Sequence, residues 1–236
     1  MIRAFVLAGA IVALGLPAAL ICLPLAALTR NATPLYNVSL RIIRIAFRLA
    51  GLHVQVSGLE HVPPHTACIF MANHVSNLDP PALLPHIPGR TSAFLKSSLM
   101  RIPILGFGFS LAEFVPVSRD GRAESAIESA RVAQCVLEQG LHITTFVEGT
   151  RSPDGRLLPF KKGPFHLAME ANAPCIPVSI HGTQALMPRG SLRVRGGTAH
   201  IAFHPPIQPS EFASREDLML AVRQAIASGL PEWMRN

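Results

Sequence analysis

Near its N-terminus the chain has a long stretch without charge, from Ala4 to Thr29. Its 26 positions exceed the roughly 20 residues that a helix needs to cross a bilayer. Pro17 and Pro24 interrupt the stretch, and each removes a helical hydrogen bond, so a broken or re-entrant hairpin is an alternative to one spanning helix. A signal peptide is disfavoured because its apolar region is shorter. We therefore expect a membrane anchor, either spanning or inserted from one side.

The next segment, residues 36–50, combines apolar and basic positions at helical spacing. Arg41, Arg44 and Arg48 fall on one face at i, i+3 and i+7, and the remaining faces are almost entirely apolar. A basic amphipathic helix of this kind lies in a headgroup layer. The alternative is an ordinary surface helix with solvated arginines. Positive charge after the apolar stretch predicts that the following domain is cytoplasmic.

From residue 53 onward, short apolar runs alternate with helical stretches, which predicts an α/β domain. One helix is predicted over 122–139, closed by Gly140. Another is predicted to begin at Ser214, where a Ser-x-x-Asp capping box starts, and to end near Gly229. The predicted fold is a central, largely buried mixed sheet flanked by helices, with membrane-associated helices in 1–50 and one domain in 51–236. The candidate strands are 53–57, 67–72, 92–95, 114–117, 142–147, 175–180 and 199–204.

The composition supports contact with a membrane. Hydrophobic residues make up 49% of the chain and charged residues only 15%, against an average of about 25% charged in soluble domains. This excludes intrinsic disorder. The formal net charge is +7, which suits nucleic acid, anionic lipid or a phosphorylated substrate. Nucleic acid is disfavoured because the chain has one Trp, one Tyr and no recognisable binding motif.

The four cysteines, Cys22, Cys68, Cys135 and Cys175, are widely spaced and form no C-x-x-C pair. This pattern predicts buried, reduced thiols rather than a disulfide scaffold or a zinc site, and we expect no bound metal.

A polar cluster follows the predicted strand 67–72, at the sheet edge where α/β proteins bind ligands. Within it, His74 and Asp79 are five residues apart and can converge only if a helix begins between them. Pro80 favours the first helical position, which would make Asp79 the N-cap. A carboxylate beside an imidazole fixes the tautomer of the histidine and suits a general base. The alternative is that Asp79 only caps the helix and His74 is a surface loop residue.

A second cluster, residues 146–152, closes the predicted strand 142–147. Gly149 allows a close backbone approach, and Arg151 offers a planar fork for phosphate or carboxylate. Further along lies the pair Lys161-Lys162, just before a predicted helix start at Pro164, where an anion is favoured. The alternative is a turn with solvated charges. Lys96 and Arg119 also follow short apolar strands, and several basic groups at strand ends together indicate a phosphorylated ligand.

Four short motifs occur in order along the chain, at 73–79, 114–119, 146–151 and 173–178. Together they resemble the motifs of glycerolipid acyltransferases, and the run from Glu148 to Gly163 is especially similar to the bacterial 1-acyl-glycerol-3-phosphate acyltransferases. A lone H-x4-D occurs by chance, whereas four motifs in order are specific. The N-terminal apolar stretch also resembles the membrane-anchoring helices of that family.

The resemblance implies acyl transfer from a thioester, on coenzyme A or acyl carrier protein, to the sn-2 hydroxyl of lysophosphatidate, giving phosphatidate. His74 would be the general base and Asp79 would orient it, with no covalent intermediate and no bound cofactor. This agrees with the absence of a G-x-S-x-G nucleophile motif. Arg151 and Lys96 would hold the acceptor phosphate. Four residues would shape that site: Arg119, Glu148, Gly149 and Thr150.

The family resemblance also implies partners and a location. The partners would be lysophosphatidate, the acyl thioester with its acyl carrier protein where that is the donor, and the lipid surface. The location would be the inner membrane, with the catalytic domain on its cytoplasmic face.

Three residues depart from the family pattern. Ala112 and Glu113 stand where relatives usually have glycine, and Ser118 stands where many have Asp. These departures concern the acceptor more than the reaction, so another lyso-lipid, such as lyso-ornithine lipid, is an alternative acceptor. Two alternatives of other classes are a non-catalytic anionic-lipid-binding protein and a lipid hydrolase in which His74 activates water.

Overall fold

Seven strands pair into one sheet in the described residues, which are 1–103, 105–117 and 123–235 of this computed structural model. Their order is β1-β7-β6-β2-β5-β3-β4. All neighbours are parallel except β6 and β7, so the predicted mixed sheet is confirmed. Each predicted strand matches within two residues at either end. The strands are β1 (Leu52–Ser57), β2 (Ile69–Ala72), β3 (Thr91–Lys96), β4 (Val115–Val117), β5 (His142–Phe146), β6 (Cys175–His181) and β7 (Gly197–Phe203).

Helices connect these strands and cover the sheet. The two helices predicted after residue 120 are confirmed within a residue or so. Ser214 caps the last helix by accepting a hydrogen bond from the Asp217 N–H at 3.1 Å. The helices in the described part of the chain are α1 (Ile2–Thr29), α2 (Thr33–Leu49), α3 (Asp79–Leu83), α4 (Leu105–Leu111), α5 (Ala123–Glu138), α6 (Gly163–Ala171), α7 (Thr183–Leu186) and α8 (Arg215–Ser228).

The central strand β2 is buried on both faces, as expected for a parallel strand between helical layers. Ile69 and Met71 pack into the core beneath α5, α6 and α8. Phe70 and Ala72 point to the opposite core, which α2 and α3 close with Phe47 and Leu83, among others. Because successive side chains of a strand alternate between faces, this short apolar strand anchors both layers and fixes the position of whatever follows Ala72.

The four cysteines carry free thiols, as predicted, but only two of them are buried. Cys68 and Cys175 lie in the core beside or within the central strands. Cys135 is exposed on α5, and Cys22 is partly exposed on α1. The prediction of burial is therefore wrong for Cys135 and Cys22, because helices with one face outside the core leave some positions uncovered.

The N-terminal helix α1 is continuous, with Pro17 and Pro24 inside it. The alternative of a helix broken at these prolines is therefore wrong. Each proline deletes one N–H bond but leaves the neighbouring turns intact. Most of the large apolar side chains of α1 are exposed. Within the described ranges, α1 is the one helix long and apolar enough to cross a membrane.

The second helix joins α1 to the sheet. Phe47 and Ala46 are buried, whereas Arg41, Arg44 and Arg48 are exposed, as the amphipathic pattern predicts. Arg3, in the first turn of α1, donates to the Ala50 carbonyl at the end of α2, at 2.7 Å. The two helices are thus tied to the start of β1. The division into 1–50 and 51–236 stays a prediction.

Candidate active site

The ends of three neighbouring strands converge at one edge of the sheet. His74 follows β2, Glu148 follows β5 and Thr183 follows β6. Since β5, β2 and β6 are parallel neighbours, their carboxyl ends meet, which is where open α/β sheets bind ligands.

His74 and Asp79 lie in direct contact at this edge. Nδ1 of His74 is 2.7 Å from Oδ2 of Asp79. The predicted convergence therefore occurs, but the prediction that Asp79 is the N-cap is wrong: α3 begins with Asp79 itself, after Leu78. The reason is that the Asp79 carboxylate turns back toward the preceding loop, while the Leu78 carbonyl accepts the first helical bond, from the Ala82 N–H at 2.9 Å.

Four groups surround the buried Asp79 carboxylate. Besides His74, the backbone N–H groups of Val75 and Ser76 both donate to Oδ2, each at 2.7 Å. The Thr183 hydroxyl donates to Oδ1 at 2.5 Å. An oxygen that accepts two backbone N–H bonds has no room for its own proton, so the Nδ1 of His74 must carry the hydrogen that it shares with Asp79. When the ring is neutral, Nε2 is then its proton acceptor.

The His74 ring and backbone are held from the β5 side. Phe146 stacks on the ring, with centroids 4.1 Å apart. The His74 N–H donates to Oε1 of Glu148 at 3.4 Å, and its carbonyl accepts from the Ser152 N–H at 2.8 Å. With 17% of its side chain exposed, the imidazole can reach a substrate while its orientation is fixed.

Asn73 fixes the start of the loop that carries His74 to β6. Its side chain donates to the Ile180 carbonyl at 2.9 Å and accepts from the Ile180 N–H at 2.7 Å. The fully buried amide thereby continues the β2–β6 pairing for one more residue through its side chain. His74 consequently leaves the sheet in a defined direction.

Glu148 lies behind the histidine rather than on the surface. It is 1% exposed, and burial raises its pKa to about 8, although the hydrogen bond from the His74 backbone lowers it in part. A carboxyl group in this position carries a proton at neutral pH.

The basic groups around the edge are only partly described. Arg151 is half-buried and Thr150 exposed. Gly149 has a φ of +69°, and a Cβ built on it would lie 3.0 Å from Cγ of Lys161, so the Lys161 stem lies directly over this glycine. Lys96 ends β3, but its side chain lies outside what the structure describes.

Arg119, predicted to shape the phosphate site, falls in 118–122, outside the described residues. Sequence reasoning placed Phe146 in the cluster 146–152 but gave it no role, and it did not name Thr183. The available signal was their position, since both stand at or just after the carboxyl end of a strand next to β2.

The fold and the site together define an α/β enzyme with a His–Asp pair at the carboxyl edge of its sheet. A family model described as Acyltransferase matches residues 53–181, which is more than half of the chain. The chain belongs to this acyltransferase family.

The chain is similar in sequence to named relatives and in fold to a solved structure. The chain is 30% identical over 201 residues to 1-acyl-sn-glycerol-3-phosphate acyltransferase alpha of Homo sapiens, covering 85% of this chain and 70% of that protein. It is 34% identical over 165 residues to 1-acyl-sn-glycerol-3-phosphate acyltransferase of Limnanthes alba, covering 70% and 58%. The crystal structure of the 1-acyl-sn-glycerophosphate (LPA) acyltransferase from Thermotoga maritima superposes with a TM-score of 0.80 at 27% identity, covering 97% of this chain and 93% of that one.

Proposed function

We propose that the protein transfers a fatty acyl group from acyl-CoA or acyl carrier protein to the sn-2 hydroxyl of 1-acyl-glycerol-3-phosphate, giving phosphatidate. The observation that carries the proposal is the 2.7 Å contact between His74 Nδ1 and Asp79 Oδ2 at the strand edge. The substrate class is supported by the names of the human and Limnanthes relatives. No cofactor is needed, since the thioester itself supplies the activated acyl group.

The chemical step follows from the free Nε2 of His74. The acceptor hydroxyl gives its proton to Nε2 while its oxygen attacks the thioester carbonyl carbon. Collapse of the tetrahedral intermediate breaks the C–S bond, and the leaving thiolate takes the proton back from the imidazolium. Asp79 stabilises the imidazolium and holds the ring. A base of this kind contributes about 10²–10⁴-fold to the rate.

The acceptor phosphate is assigned to the basic groups beside the pair. Arg151 and Lys96 would bind it, and Arg119, Gly149 and Thr150 would shape the site. The position of Arg151 three residues after the buried Glu148 supports this arrangement. Glu148 supports the site from behind, through its contact with the His74 backbone at 3.4 Å. Fixing the headgroup beside the base removes much of the entropic barrier to reaction.

The site serves a substrate that resides in a bilayer. The exposed apolar surface of α1 and the arginines of α2 support attachment through residues 1–50, with the acyltransferase domain in 51–236. The positive charge after α1 supports a location on the cytoplasmic face of the inner membrane.

The test uses the detergent-solubilised full chain with lysophosphatidate and either acyl-CoA or acyl carrier protein as donor. Thiol release and lipid products are followed together for the parent, for His74→Ala and for His166→Ala. His166 is an exposed histidine on α6 that contacts Glu170, so it controls for loss of an imidazole away from the site. We expect phosphatidate from the parent and from His166→Ala, and at least about a hundredfold less from His74→Ala.

The other outcomes distinguish the alternatives. Free fatty acid in place of phosphatidate identifies a hydrolase. Turnover only with another acceptor, lyso-ornithine lipid first, overturns lysophosphatidate as substrate but keeps the chemistry. Lipid binding without turnover on any acceptor identifies a binding protein.

A further inference from the structure

The connection between α7 and β7, residues 187–196, forms a basic loop at the same edge of the sheet as His74. Arg189, Arg193 and Arg195 are exposed in this 187–196 loop. Between them Leu192 is 81% exposed, the largest exposed fraction but one among the large apolar side chains described. A single exposed leucine means little by itself, so the case depends on its surroundings.

The positive charge of the 187–196 loop has no acidic partner among the residues that the structure describes. Residues 171–210 contain no Asp or Glu. In the parts of the chain that the structure describes, no ion pair involves any of the three arginines. Three guanidinium groups without an ion-pair partner can bind lipid phosphates, and the exposed leucine between them can contact hydrocarbon. This combination is typical of a segment that binds a lipid surface.

One end of the loop is bonded to the segment between His74 and Asp79, and the other end is bonded to α7. The Met187 carbonyl accepts from the hydroxyl of Ser76, at 2.8 Å, and Ser76 lies between His74 and Asp79 in the chain. The Arg195 N–H donates to the Leu186 carbonyl at 2.8 Å, which closes the loop, and Val194 is buried in the core. The loop therefore projects its arginines from a rigid base that touches the catalytic loop.

The loop is also continuous with the apolar helix α1. A Cβ built on Gly196 would lie 2.7 Å from Cζ of Arg3, and one built on Gly51 would collide with Nη1 of the same side chain. The Arg3 guanidinium is thus seated between the end of the loop and the start of β1. Ile2 and Phe5, which are close to Arg3 in the chain, are exposed. The apolar helix α1 and the 187–196 loop therefore meet at the same edge of the sheet.

We propose that the 187–196 loop is a second membrane contact, which docks on the anionic phospholipid surface. Leu192 enters the interfacial layer, and Arg189, Arg193 and Arg195 bind lipid phosphates. The bond between Met187 and Ser76 then holds the His74 edge against the bilayer surface. The inference rests on the membrane association proposed for α1 and is independent of acyl transfer.

Because α1 would keep the whole protein on vesicles, the experiment needs a local probe. The chain has one tryptophan, Trp233, so a Trp233→Phe variant has no tryptophan fluorescence of its own. In this background, Leu192→Trp reports on the loop. Leu220→Trp is the matched control, since Leu220 is 55% exposed on α8, on the opposite side of the sheet. Each full-length variant is reconstituted into phosphatidylcholine vesicles with or without phosphatidylglycerol, and quenching by brominated lipid is measured.

We expect Leu192→Trp to be blue-shifted and quenched in phosphatidylglycerol vesicles, and Leu220→Trp to be unaffected. Changing Arg189, Arg193 and Arg195 together to Gln should abolish the quenching, because each arginine near an anionic surface contributes about a fivefold factor. Binding of each variant to the vesicles is checked by flotation in a density gradient. If the tryptophan at position 192 is not quenched in protein that floats with the vesicles, the inference is overturned. Quenching that survives the three Gln changes overturns the role of the arginines. Failure to float contradicts the proposed membrane association of α1 instead.

Discussion

At the scale of single residues, the orientation of His74 depends on groups that are distant in the sequence. Asp79 is a near neighbour, but the Thr183 hydroxyl that binds its other oxygen is 104 positions away from it, and the stacking Phe146 belongs to β5. Each of these contacts restrains the imidazole in a different direction. Removing one of them should weaken catalysis without removing the base.

Thr183 provides the sharpest test of this arrangement. Thr183→Val keeps the shape but leaves Oδ1 of the buried Asp79 without its 2.5 Å donor. A hydrogen bond to a charged group contributes about 1.5–3 kcal/mol, so we expect kcat to fall about ten- to hundredfold with little change in KM. Thr183→Ser should restore most of kcat because it keeps the hydroxyl. An unchanged kcat in the Val variant would show that Asp79 is held sufficiently by the loop.

Glu148 makes stability depend on pH. Burial raises its pKa from 4.5 to about 8, so between these values the folded protein keeps a proton that the unfolded chain releases. The stabilisation from Glu148 is therefore complete below pH 4.5 and is lost as pH rises through 8, at up to about 1.4 kcal/mol per pH unit.

Glu148→Gln should remove this loss. We expect the free energy of unfolding of the variant, relative to the parent, to increase steadily as pH rises from about 5 to about 8, the window set by burial of the carboxyl group. Denaturant unfolding in detergent at several pH values measures it. Glu138→Gln, at an exposed position in α5, is the control and should change nothing. Parallel curves for parent and Glu148→Gln would mean that Glu148 is ionised throughout.

At the scale of elements, the connection from α4 to β4 explains a departure from the family pattern. Glu113, at a position where the family resemblance leads us to expect glycine, has a φ of +62°. Its carbonyl accepts from the Ser92 hydroxyl at 2.6 Å, and its carboxylate pairs with Arg90 at 3.5 Å. The turn therefore keeps the left-handed backbone of a glycine, and contacts to β3 and its flanking residue offset the strain.

This geometry predicts different effects on stability for two substitutions. Glu113→Gly relieves the strain but loses a partly buried ion pair, so stability should stay within about 1 kcal/mol of the parent. Glu113→Val should destabilise by about 1–2 kcal/mol, because a β-branched side chain fits the left-handed region poorly. Thermal unfolding in detergent compares them. Equal stabilities for the Gly and Val variants would contradict a strained turn.

At the scale of the whole molecule, two different surfaces are joined in one chain. The sheet has a buried core on each face, whereas α1 leaves most of its large apolar side chains exposed. Hydrophobic surface of this extent is stable in water only when something covers it. A lipid bilayer fits both the length and the composition of the helix.

The apolar surface of α1 predicts a selective effect of charge. Leu20 is 78% exposed, so Leu20→Arg should leave the fold unchanged but reduce the membrane-bound fraction, since an arginine within the apolar span costs about 2.5–3.5 kcal/mol. Leu220→Arg, on α8, should leave that fraction unchanged. Sedimentation of membranes and circular dichroism measure the two effects. Equal membrane fractions for both variants would contradict insertion of α1.

Much of this architecture could be predicted from local sequence. Short apolar runs bounded by turns identified all seven strands, and the Ser214 cap identified α8. The continuity of α1 through Pro17 and Pro24 could not be predicted, because a proline costs helical stability without deciding whether the helix breaks. Likewise, Pro80 indicated a helix start but not which way the Asp79 carboxylate turns.

The sequence by itself determined the elements, the apolar N-terminal helix and the nearness of His74 to Asp79, because these depend on periodicity and on a spacing of five residues. Only the tertiary structure decided what surrounds the pair. The order β6-β2-β5 brings Thr183 to Asp79 and Phe146 to His74, and it buries Glu148 behind the pair. Strand order is set by packing between distant segments, and burial on both sheet faces is a property of the whole fold, so neither is written in any local pattern.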